Sequence, residues 1–160
     1  MLYSLYLKFC RNELYFGDLA RSWFGSRTLS SLIHCGAFDA GEIKVYERNN
    51  VGFRIWIEVI PSVVARLREK FRDSDKDCVL EAALWKEDNI QMTFFLASNI
   101  ASSSLLAPKD HLLSVPNVTF KDSLLVSSST LDSLLTINGF GALKIDLLVL
   151  DIQGAEDRKS

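Results

Sequence analysis

Much of what would place this chain in a familiar class is missing from it. Lys and Arg number 18 against 20 Asp and Glu, a formal net charge of −2. Without a basic excess no broad field gathers phosphate backbones, which argues against nucleic acid as a general partner. Cysteine is scarce: Cys10, Cys35 and Cys78 are odd in number, lie far apart and form no CxxC or Cys/His spacing. That argues against a disulfide framework and a zinc site and leaves buried, reduced thiols as the expectation. The opening segment from Met1 to Glu13 has neither a basic start nor a long apolar run and carries charge from Lys8 onward. Neither a secretory leader nor a transmembrane segment is expected, and the chain reads as cytoplasmic. No internal repeat or low-complexity linker breaks the order. The composition, 48% hydrophobic and 24% charged, is far from that of a disordered chain, and 160 residues fit one domain.

What is there alternates. Leu2, Leu5, Tyr6 and Phe9 recur at helical spacing, so residues 1–28 read as an N-terminal helical extension ahead of a domain over 29–160. Ser31–Cys35 reads as a first strand, and Phe53–Glu58, rich in β-branched and aromatic residues, as a second, with a short helix between Gly41 and Asn50. After Pro61, a residue suited to the first turn of a helix, Val63, Val64, Leu67 and Phe71 mark one apolar face opposite Arg66, Arg68, Glu69 and Lys70. Cys78–Leu84 is expected as a third strand and Gln91–Leu96 as a fourth, reached through an Asp88-Asn89 turn. Further on, Val118–Val126 reads as a strand, Leu131–Ile137 as a short helix, and Ile145–Asp151 as the continuous apolar strand that parallel sheets favour. Short apolar runs alternating with amphipathic stretches are the pattern of parallel strands joined by crossover helices, an α/β chain.

Open α/β sheets bind ligands beyond the carboxyl ends of their strands. The first strand runs into His34-Cys-Gly-Ala-Phe-Asp-Ala-Gly-Glu42, where glycine lets a ligand approach the backbone. The second ends in Glu58, placed either to accept bonds from the two hydroxyls of a ribose or to cap the following helix. Together they fit an adenosine-containing cofactor. The glycine turn lacks a full Gly-x-Gly-x-x-Gly pattern, which disfavours a nicotinamide-dependent oxidoreductase. His34, inside the strand, is expected to be a satisfied core or turn histidine, and His111 a solvated loop residue.

The run Ile33 to Glu42, then Trp56-Ile-Glu-Val-Ile-Pro61, Ala82-Ala-Leu84, Ser98-Asn-Ile-Ala-Ser-Ser-Ser-Leu105, Thr130-Leu-Asp-Ser-Leu134 and Asp146-Leu-Leu-Val-Leu-Asp-Ile-Gln-Gly-Ala-Glu156 resembles the FkbM-type methyltransferases in landmarks and order. The resemblance implies a Rossmann-like class I methyltransferase sheet. It implies transfer of a methyl group from S-adenosylmethionine to an oxygen, often on a sugar or natural product. On that resemblance Gly36, Ala37 and Gly41 face the methionine part of the cofactor, Glu58 the ribose, and Ala82, Ala83 and Leu84 the adenine. Asp151, at the end of the last strand, is the expected catalytic carboxylate; Asn99, Ser102, Ser103 and Glu156 are expected to bind a small-molecule or glycan acceptor.

The chain departs from the family in its turn. Ala40 stands where the family's second glycine falls, with Gly41 after it, and Phe38 where Asn or His is usual. On the same resemblance, the C-terminal strands of a complete class I sheet are expected to be missing from these 160 residues. A non-catalytic domain of the same fold, whose open sheet edge is covered by a partner or a second copy, is therefore the competing expectation.

Overall fold

The computed structural model describes residues 28–97, 105 and 120–152. The expected N-terminal helix, the Ser-rich loop with Asn99, Ser102 and Ser103, His111 and Glu156 fall outside the described residues. Two compact units emerge: one runs up to Glu81 and takes in Leu143–Asp151, the other holds Ala82–Ala142 and Ile152. The sequence reading runs one domain through both.

The first unit is a parallel sheet of four strands, β1 (Ser31–Cys35), β2 (Phe53–Glu58), β3 (Asp77–Glu81) and β7 (Leu147–Leu150), in the order β3-β2-β1-β7. Helix α1 (Ile43–Arg48) joins β1 to β2, and α2 (Pro61–Lys70) joins β2 to β3. Every residue of β1 is buried, as expected for a strand covered on both faces, which cannot alternate apolar with polar. Pro61 starts α2, and Val63, Val64 and Leu67 are its buried stripe with Phe71 completing it at the C-cap. Under the helices lies an aromatic column. Phe71 stacks on Trp56 with centroids 5.4 Å apart, Trp56 stacks on His34 at 5.4 Å, and Tyr46 lies against both rings. Gly52 is required by a close approach: a Cβ there would collide with the carbonyl of Ser30, to which Phe53 donates.

The second unit holds a smaller sheet of β4 (Ala83–Leu84), β5 (Gln91–Ala97) and β6 (Phe120–Ser129) in the order β4-β6-β5, followed by α3 (Leu131–Ile137). Two expectations need correction here. Cys78–Leu84 is not one strand: β3 ends at Glu81, and β4 pairs with β6 instead of extending the parallel sheet. β5 and β6 are antiparallel, so the alternation of strand and helix does not extend through the middle of the chain. Two of the segments quoted for the resemblance have local structural roles. Thr130 caps α3 by accepting from the Ser133 N–H, while Asp88 accepts from the Thr130 N–H and the Ser133 hydroxyl. In the first unit, Asp146 accepts from the Ser30 N–H and pins the start of β7 beside β1. No helix among the described residues is long and apolar enough to cross a membrane.

Candidate functional site

Parallel register fixes what stands at the carboxyl edge. Cys35 pairs with Ile57 on one side and with Leu150 on the other, and Glu58 pairs with Glu81. The next level across the sheet therefore reads Glu81, Glu58, Gly36, Asp151, neighbouring strands being about 5 Å apart. The strand order turns back on itself between β1 and β7, since β2 and β3 lie to one side of β1 while the last strand returns to the other. Open α/β sheets bind their ligands at a switch point of this kind. Gly36 and Asp151 flank it, and the Asp151 N–H donates to the Cys35 carbonyl at 2.9 Å.

The turn from Gly36 to Gly41 is held in an unusual shape. Gly36 takes a φ of 81°, which suits glycine, but Phe38 and Ala40 also lie in the left-handed region, at 45° and 50°. In that region Cβ crowds the following carbonyl, at about 1–2 kcal/mol per residue. Asn and Gly tolerate left-handed backbone, Phe and Ala do not, and the backbone adopts it nonetheless.

Glu58 supplies much of the constraint. Its Oε2 accepts from the Phe38 N–H at 2.9 Å, and its Oε1 accepts from the N–H groups of Val59 and Ile60 at 2.7 and 3.1 Å. One buried carboxylate thus ties the β1 turn to the start of α2, which has no capping side chain at Ile60. Hydrogen bonds to a charged group are worth about 1.5–3 kcal/mol each, enough for the bond at Phe38 to offset the strain there. On the opposite side, Lys70 donates from Nζ to the carbonyls of Asp39 and Ala40, at 2.6 and 3.1 Å.

Charge at this edge is negative. Burial raises the Glu42 carboxyl above its ordinary value, Asp39 and Asp151 add to the rise, and Lys70 works against it. Burial likewise raises the Tyr46 phenol, with Glu42 and Asp151 contributing. Its hydroxyl lies 2.9 Å from His34 Nδ1, and burial lowers His34 to about 4, so the imidazole is neutral near pH 7. His34 is a satisfied part of the aromatic column.

Of the residues singled out in the sequence, Gly36, Ala37, Gly41, Glu58 and Asp151 share this edge. Ala82 and Ala83 stand in the second unit, Ala83 in β4, and their expected place against an adenine ring rests on the resemblance alone. Cys35 is buried and Cys78 half-buried, both as free thiols. No group of three or more His, Cys, Asp or Glu suited to a metal ion occurs among the described residues. Lys70 and Glu42 were missed as site residues. Lys70 reads as one more cation on the outer face of an amphipathic helix, and nothing in its spacing marks the carbonyls it reaches. Compared with protein-family models, curated proteins and solved structures, the chain matches none.

Proposed function

We propose that this chain is the cofactor-binding part of an S-adenosylmethionine-dependent methyltransferase of FkbM type, directed at a hydroxyl of a sugar or natural-product acceptor. The observation that carries the reading is the row Glu58, Gly36, Asp151 across three adjacent parallel strands, at the switch point where such sheets bind nucleotides. The residues fit the cofactor. Gly36 and the small, buried Ala37 put no bulk at the strand end. A carboxylate has about four acceptor positions, and Glu58 uses three on backbone N–H groups, which leaves one for a ribose hydroxyl. The negative surround of Asp39, Glu42 and Asp151 suits a sulfonium cation.

In this reading Gly36, Ala37 and Gly41 hold the methionine portion and Glu58 the ribose. Bound there, S-adenosylmethionine supplies an already activated methyl group. The protein's share is alignment, together with removal of the acceptor's hydroxyl proton. Asp151, beside the Gly36 turn, orients the acceptor oxygen or takes that proton at its carboxylate.

Titration calorimetry on the whole chain tests the reading. S-adenosylmethionine and its demethylated product should both give binding heat, and NAD should give none; no heat from either adenosyl compound at millimolar concentration overturns it. Asp151→Asn should leave binding of the demethylated product, whose sulfur is neutral, nearly unchanged while methyl transfer to an accepted hydroxyl falls by roughly 10²–10⁴-fold, the range for loss of a general base. Equal turnover in both proteins would remove Asp151 from the chemistry.

A further inference from the structure

The geometry points to Lys70 as the positioning residue of the cofactor turn: by holding the two carbonyls that flank Ala40, it keeps the Gly36–Gly41 backbone in the shape that binds the cofactor. This rests on the reading above for the identity of the ligand. The two peptide groups on either side of Ala40 are oriented by its φ and ψ, and Lys70 Nζ bonds the oxygens of both. The Ala40 N–H also donates to the Ala37 carbonyl and the Ala40 carbonyl accepts from the Ile43 N–H, and in that turn the one ammonium reaches both oxygens with Ala40 at a left-handed φ of 50°. Without that bond, alanine favours the right-handed or extended regions, and either one swings the carbonyls apart.

The clamp has a rigid base. Lys70 is the last residue of α2, its ammonium lies 5.5 Å from the centre of the Phe71 ring, and Phe71 stacks on Trp56, which stacks on His34 two residues before Gly36. The ammonium and the start of the turn thus refer to one buried column. Glu58 grips the same turn through the Phe38 N–H, so left-handed residues 38 and 40 each have their own tether from a neighbouring element. Strained backbone persists where its surroundings over-determine it, and it gathers where a ligand is clamped.

The test is a cycle on the full chain: wild type, Lys70→Met, Ala40→Gly and the double variant, with Lys70→Arg alongside. The readouts are affinity for S-adenosylhomocysteine by calorimetry and the midpoint of thermal unfolding. Methionine keeps most of the stem, and Lys70 is solvent-exposed, so the variant should fold. Lys70→Met should weaken binding about tenfold when Ala40 is present and less than twofold in the Ala40→Gly background, because glycine enters the left-handed shape without the steric cost that the clamp offsets for alanine. Lys70→Arg, which keeps a donor, should retain most of the affinity. Equal losses in both backgrounds, or none in either, would overturn the assignment. Should the wild type take up no S-adenosylhomocysteine, the cofactor reading falls. The unfolding midpoints then decide the clamp by themselves: a drop on Lys70→Met that vanishes in the Ala40→Gly background supports it, and equal drops overturn it.

Discussion

The two edges of the parallel sheet are built on opposite plans. At the amino edge Arg54 and Asp77 form a shielded ion pair, with Arg54 Nε and Nη2 donating to the two Asp77 oxygens at 2.7 and 2.6 Å. Trp56 Nε1 and the Ser74 hydroxyl also donate to Asp77, and Arg54 Nη1 reaches the Val51 carbonyl. Burial pushes the Asp77 carboxyl up, but these donors and the Arg54 charge outweigh it and hold the carboxyl below its ordinary value. Among the described residues, no buried side-chain nitrogen or oxygen lacks a partner. At the carboxyl edge, by contrast, two residues without glycine's freedom stand in left-handed backbone, and burial together with neighbouring carboxylates raises the Glu42 carboxyl. One edge pairs its buried charges internally around a hollow lined by Glu47, Asn50, Val51, Gly52, Arg54 and Lys76, and its left-handed residue, Asn50 at 53°, is of a type that tolerates that backbone. The other is strained and electrostatically unbalanced, the condition in which a bound cation or a hydrogen-bonding ligand gains most.

Three substitutions would break or sharpen this contrast. The largest effect is expected at the amino edge. Asp77→Asn leaves the Arg54 charge buried without its counter-ion and should cost about 3–5 kcal/mol in urea unfolding, with affinity for S-adenosylhomocysteine in the surviving folded protein unchanged. A loss of affinity matching the loss of stability would show that the edges are not independent.

Next in size is the histidine between them. His34 is neutral in the fold, with its pKa lowered to about 4 from 6.5, so from pH 6.5 down to about 4 the unfolded chain binds the proton more readily. Stability should therefore rise with pH across that window, be complete above about 6.5 and fall away on acidification, by about 3 kcal/mol from this group. His34→Gln should remove that part of the slope in urea midpoints taken from pH 4 to 7. An unchanged slope would show that the imidazole is not held neutral.

The smallest effect has the opposite sign. Ala40→Gly should stabilise the chain by roughly 1 kcal/mol, the relief of left-handed alanine less the added freedom of the unfolded chain. Destabilisation would mean that residue 40 is not strained.

The outline of the parallel sheet was legible because fully buried strands leave continuous apolar runs and crossover helices leave stripes. β1, β2, β7 and α2 all carry that signature, and the limits expected for β1 and β2 match those observed. The break at Ala82 was not legible, since an apolar run shows that a strand is buried and not which sheet it joins. Glu58 was visible as an acidic residue at a strand end, yet both readings of it fit the sequence. Three backbone N–H groups converge on it, and these come from two separate connections.

The sequence by itself determined which segments are buried, which residues punctuate them, and that a glycine, a glutamate and an aspartate close three strands, because periodicity and residue type act locally. Only the tertiary structure decided what those ends do to one another. Parallel register sets Glu58, Gly36 and Asp151 in one row, and the handedness of Phe38 and Ala40 is imposed against their own preference by Glu58 and Lys70. Twenty residues separate Phe38 from Glu58 and 31 separate Asp39 from Lys70, so these bonds exist only once the strands and helices have packed. A local preference worth about 1–2 kcal/mol is small enough for such bonds to override.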